Sequence, residues 1–101
     1  MKTSDIERLV ELELARANAK FGDRHNSTHE KYAVILGEFE EAVGEIEKAR
    51  EHIDFYWSAV KHDVKPKVDY EKIIEHHAIH AVAKLIQVAA MARKEVKNVS
   101  I

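Results

Sequence analysis

From Ser27 to Val60 the chain carries one unbroken helical pattern, and any fold it adopts has to accommodate that rod. Apolar residues recur at Ile35, Leu36, Phe39, Ala42, Val43, Ile46, Ala49, Ile53, Trp57 and Val60, at helical spacing. Ser27-Thr28-His29-Glu30 has the form of a capping box and supplies the start. The phase holds through Trp57, so the spacing predicts a single helix, bent near residues 50–54. That is long for a globular protein. On its flank, beside Ile35, Phe39, Val43 and Ile46, stand Glu38, Glu41 and Glu45. Such a row is either a solvated or salt-bridged stripe or half of a metal site. Gly37 and Gly44 lie opposite the apolar stripe and each costs about 1 kcal/mol against alanine in a helix. They are expected to mark the close approach of another element.

Two further helices flank this one. The first is expected from Ser4, where Ser4 and Glu7 have capping-box spacing and Asp5 suits the helix dipole. Ile6, Leu9, Val10, Leu14 and Ala17 then recur until Lys20-Phe21, and Gly22-Asp23-Arg24-His25-Asn26 reads as a turn. Pro66 closes off the long helix, and Asp69 is placed as an N-cap with Val68 and Ile73 as a hydrophobic staple. The third helix is predicted from Tyr70 to Val96. Its apolar stripe is Ile74, Ala78, Ala81, Val82, Leu85, Val88, Ala89, Ala92 and Val96. Many of these are alanines, which let helices pack closely. Beside it runs a mixed row of Ile73, His77, His80, Lys84, Gln87 and Met91.

The expected fold is therefore all-α, one shorter and two long helices forming a single domain over residues 1–101. A chain of 101 residues buries only a small core, so a partner subunit is expected to complete it. With 46% hydrophobic and 34% charged residues, one proline and three glycines, the composition suits long amphipathic helices. A formal net charge of −2 argues against nucleic acid or an anionic membrane as partner. The lack of cysteine excludes disulfides, thiolate catalysis and cysteine–zinc sites, and fits a cytoplasmic protein. No apolar run is long enough for a bilayer span, and Met-Lys-Thr-Ser-Asp-Ile has no signal-peptide core.

His29-Glu30-Lys31-Tyr32-Ala33-Val34-Ile35-Leu36, the Glu38/Glu41 row, and Leu85-Ile86-Gln87-Val88-Ala89-Ala90-Met91-Ala92 together resemble phage and prophage proteins of the MazG-like group. These belong to the all-α nucleoside-triphosphate pyrophosphohydrolases, and the resemblance spans about Phe21 to Arg93. It implies a helical bundle completed as a homodimer or tetramer, which hydrolyses nucleoside triphosphates to monophosphate and pyrophosphate. It implies Mg²⁺ held by a Glu-Glu-x-x-Glu motif on one helix and Glu-x-x-Asp on a later one. Carried over, Glu38 and Glu41 become the catalytic and metal-binding residues, and Glu45 is expected to stand in for the missing carboxylate as a third metal ligand. Lys84, Gln87 and His80 become the cofactor-contacting residues on the facing helix. Such a site is chemically sound, because Mg²⁺ needs few carboxylates and keeps several waters.

The chain departs from that pattern at Gly37, where the motif has glutamate, and at Lys84 and Gln87, where it has acids. An ammonium cannot ligate Mg²⁺ and repels it. If the two motif helices face each other, Lys84 is expected to pair with Glu38 or Glu41. The resulting alternative is a catalytically inactive helical module that binds nucleotide or protein. Other features carry weaker expectations. His76 and His80 have the i, i+4 spacing of a Zn²⁺ or Ni²⁺ pair but lack a third ligand. His77 and His80 are placed to bond to the glutamate row. Phe55, Tyr56 and Trp57 form either a base-stacking platform or a helix-end packing cluster, with Trp57 in phase with the core. Lys61, Lys65 and Lys67 read as a solvated loop, and Asn26-Ser27-Thr28 as a helix cap rather than a glycosylation site.

Overall fold

The computed structural model of the protein describes residues 1–97; the last four residues of the domain expected over 1–101 lie outside the described residues. Three helices dominate it: α1 (Thr3–Phe21), α2 (Thr28–Lys61) and α3 (Tyr70–Arg93). Two two-residue strands, β1 (Arg24–His25) and β2 (Glu95–Val96), pair in parallel, Arg24 opposite Glu95 and His25 opposite Val96.

Local chemistry accounts for the helix ends. The Ser27 hydroxyl accepts the Glu30 amide at 3.0 Å, and the Asp69 carboxylate accepts the Lys72 amide at 3.0 Å. Both caps satisfy an otherwise orphaned N–H. Helix α1 differs from the sequence expectation. It begins at Thr3, Lys2 is the N-cap, and no side chain caps it. Helix α2 ends in a Schellman motif: Val64 N–H reaches Ala59 O at 3.0 Å and Asp63 N–H reaches Val60 O at 3.1 Å. Asp63 takes the left-handed position, φ 53°, which glycine usually fills but aspartate tolerates. The helix is thus terminated before Pro66 is reached. Gly22, φ 92°, performs the sharper turn after α1.

Helix α3 is shorter than its pattern suggests. It stops at Arg93, and the residues expected to continue it form β2. The parallel pairing ties the chain after α3 to the chain after α1, so α1 runs alongside α3 in the same direction. Leu9 and Leu12 accordingly line a groove with Ala83 and Ile86.

The main body is the antiparallel α2–α3 hairpin. Its register is visible in cross-contacts: Glu41 with Lys84, Glu45 with His77, and Tyr56 with Glu71. The polar flanks of the two helices therefore meet each other, and much of the apolar stripe of α2 faces outward. Phe39 is 48% exposed, Ile53 47% and Trp57 59%. Val82 and Leu85 of α3 are exposed as well. Trp57 was expected in the core and is not buried within one chain. Only Val10, Ala17, Ala42, Ala81 and Ala90 form a buried apolar core among the described residues. The molecule measures 65 × 26 × 21 Å, with a radius of gyration of 18.1 Å. A compact domain of this length has about 13 Å. Gly37 and Gly44 face open space, so the close neighbour expected there is not found among the described residues. Among the described residues no helix is long and apolar enough to cross a membrane.

Candidate functional site

The carboxylate row of α2 faces the polar row of α3 along the hairpin seam. Lys84 Nζ lies 2.6 Å from Glu41 Oε2 and 3.6 Å from Glu38 Oε2. The first is a charge-assisted hydrogen bond; the second is an ionic contact too long to count as one. One turn further along, His77 Nδ1–H donates to Glu45 Oε2 at 2.6 Å. All three carboxylates expected as metal ligands thus have partners on α3. The Lys84 ammonium thus lies against two of these three carboxylates, Glu38 and Glu41. Among the described residues no group of three or more His, Asp or Glu is arranged to hold a metal ion.

These contacts shift the groups that make them. The hydrogen bond from His77 holds the Glu45 carboxyl below its ordinary 4.5, and burial opposes that shift. The bond to Glu41 holds the Lys84 ammonium above its ordinary 10.5, with the Glu38 charge adding to it. A depressed carboxyl stabilises the fold fully above the unfolded value and loses that contribution as pH falls through the folded one. A raised ammonium behaves oppositely, contributing below 10.5 and fading as pH rises through its folded value. Denaturant titrations should therefore show Glu45→Gln less stable than wild type at pH 7, with the gap closing as pH falls below 4.5. A gap that stays constant down to pH 3 would show that the bond to His77 contributes nothing.

The other histidines cluster without converging on a metal. His76 and His80 stack with ring centroids 4.2 Å apart, and His77 lies 5.8 Å from His52. Tyr56 bonds to Glu71, its hydroxyl donating at 2.9 Å.

Where the seam meets α1 it opens into a cavity of about 600 Å³, a size suited to a small ligand. Ala17 and Phe21 from α1, His25 after it, Val34 and Glu38 from α2, and Gln87 and Met91 from α3 contribute to its walls. Two oxygens there have no hydrogen-bond partner although they are buried, Glu38 Oε2 and Gln87 Oε1. Two charged or titratable side chains are also buried, His25 at 3% exposure and Lys94 at 6%. His25 Nε2–H donates to Met91 O at 3.2 Å, and its carbonyl accepts Lys97 N–H at 2.8 Å. Among the described residues Lys94 has no side-chain ion pair or hydrogen bond.

Of the residues singled out from the sequence, the fold brings Glu38, Glu41, Lys84 and Gln87 together and places Glu45 against His77. It leaves His80 beside His76, without a bond to the row. Sequence reasoning missed His25 and Lys94. No periodicity marks either, because both lie at helix ends, where the β1–β2 pairing buries them. No protein-family model, curated protein or solved structure matches the chain.

Proposed function

We propose that the chain is a nucleotide-binding helical module of the MazG-like kind, in which Lys84 holds the place that Mg²⁺ takes in the hydrolases. In this reading it binds nucleotide and does not cleave it. The observation behind the reading is the Lys84 ammonium, 2.6 Å from Glu41 and 3.6 Å from Glu38. A tethered cation neutralises the row at no cost in metal, and a stable ion pair leaves no site for the ion that would polarise a phosphate. The adjoining cavity of about 600 Å³ supports a small-molecule ligand over a purely structural role. The phage-type origin rests on the resemblance alone. A second copy of the chain completes the core in this proposal, because the apolar stripe of α2 is otherwise uncovered.

Calorimetric titration with each common nucleoside and deoxynucleoside triphosphate, in excess chelator, tests the reading. Binding without metal is expected, together with no pyrophosphate when Mg²⁺ or Mn²⁺ is supplied. Pyrophosphate release abolished by Glu38→Gln would establish the hydrolase instead. Absence of heat with every nucleotide would leave a protein-interaction module.

A further inference from the structure

Four imidazoles, His52 of α2 and His76, His77 and His80 of α3, form a chain across the hairpin. Ring centroids are 5.8 Å apart for His52 and His77, 5.0 Å for His76 and His77, and 4.2 Å for His76 and His80. The four do not meet at one point, and they are of two kinds. His52 Nδ1–H donates to Lys48 O at 2.7 Å, and His77 Nδ1–H donates to Glu45 Oε2 at 2.6 Å. Those two rings are each tied to α2. His76 and His80 are exposed, and neither makes a hydrogen bond or an ion pair among the described residues. Their ring nitrogens are left to solvent.

Helix geometry explains why the two free rings are neighbours. Residues four apart lie one above the other on a helix face, and α3 runs unbroken from Tyr70 to Arg93. Two imidazoles that share a metal ion, at metal–nitrogen distances of about 2.0–2.1 Å, have ring centroids about 4.5 Å apart at a right angle and about 5 Å apart at the tetrahedral angle. The observed 4.2 Å falls just short of the first, and a small rotation of either exposed side chain makes up the difference. No third protein ligand joins them among the described residues, so water fills the remaining positions of such an ion. Two imidazoles at a right angle with water beside them suit the octahedral and tetragonal preferences of Ni²⁺ and Cu²⁺, with Zn²⁺ behind. Hard Mg²⁺ and Mn²⁺ prefer oxygen and gain little from this pair.

We infer that His76 and His80 form a chelating site for a divalent d-block cation on the exposed face of α3. The site uses nitrogen where the carboxylate row uses oxygen, and Lys84, one turn beyond His80, is already occupied by Glu41. It is independent of the nucleotide reading and stands or falls without it.

Isothermal titration of the full-length chain, prepared without a histidine tag, with Ni²⁺ and with Zn²⁺ tests it. One equivalent of Ni²⁺ is expected to bind, more tightly than Zn²⁺. His76→Asn and His80→Asn should each weaken Ni²⁺ at least about tenfold, the smallest loss seen when even an outer-shell partner of a metal site is removed. Both side chains are exposed, so both variants should keep the helical circular dichroism of wild type. His29→Asn, which removes an exposed imidazole outside the cluster, should leave the affinity unchanged. A second readout needs no variant: Zn²⁺ should shift the ring signals of His76 and His80 in the wild-type spectrum and leave those of His52 and His77 in place. Ni²⁺ binding that survives both substitutions, Zn²⁺ shifts centred on His52 and His77, or no binding with metal in the millimolar range overturns the inference.

Discussion

Lys84→Glu is expected to give a protein that is less stable than wild type in chelator and is rescued by Mn²⁺. The substitution removes the 2.6 Å bond to Glu41 and places a third carboxylate against Glu38 and Glu41. Partly exposed like charges at this range repel by about 1–2 kcal/mol, beyond the loss of the pair itself. For a domain of about 100 residues each kcal/mol moves the melting temperature by about 4–8 °C. Divalent metal then has a set of oxygens to bind. At a hundredfold excess over its dissociation constant it returns about 2.7 kcal/mol. Wild type, with its ammonium in place, should melt at the same temperature with and without Mn²⁺. Lys84→Met is the control. It removes the cation without adding an acid, so it should respond to metal less than Lys84→Glu. Differential scanning fluorimetry over a metal series reads all three, and a metal response equal in wild type and Lys84→Glu would defeat the expectation.

Ile53→Asp is expected to convert an associated protein into a monomer that is largely unfolded. The outer face of the hairpin includes Phe39, Ile46, Ile53 and Trp57, each near half exposed, beside Val82 and Leu85. Ile46, Ala49 and Ile53 line an open groove with Ala78 and Ala81. Completing the burial of one such side chain contributes on the order of 1 kcal/mol. In the proposed dimer, several of them repeated in two chains by two-fold symmetry would add stability well beyond what one chain's alanine-rich core provides. A carboxylate at the centre of that face, buried without a partner, costs more than about 3 kcal/mol. Sedimentation equilibrium should give at least twice 11.6 kDa for wild type. Ile53→Asp should sediment as a monomer and lose helical circular dichroism at the same concentration. A wild-type protein that is monomeric and stably folded would contradict this.

The helices were legible because their signals are local. Ser27 and Asp69 each bond to an amide three residues on, and the apolar period of α2 runs to its end. The Ser4–Glu7 spacing failed as a start signal because α1 already begins at Thr3. The stop of α2 was read from Pro66, yet Asp63 in a left-handed turn does that work. A long-range contact leaves no comparable trace. The pairing of Arg24–His25 with Glu95–Val96 joins segments about seventy residues apart by backbone groups alone, so side-chain patterns do not announce it. That pairing shortens α3 and buries His25 and Lys94. Periodicity shows that α2 has an apolar face but not what covers it. Here α3 takes the polar flank, and the face assigned to the core lies open. The Lys84 contact to the glutamate row was legible from charge and helix phase, once the two helices were set opposite each other. Glu38 and Gln87 were visible only as motif positions, and the cavity they line needed coordinates.

The central claim is that Lys84 occupies the cation position of the carboxylate row. Its most direct test is titration of ¹⁵N-labelled wild-type protein with paramagnetic Mn²⁺, followed by amide signal intensities. The expected result is that signals from residues 38–45 and 84–87 keep their intensity at stoichiometric metal, while those of Lys84→Glu are lost. Selective broadening of the same signals in wild type would place a metal ion where this account places the lysine.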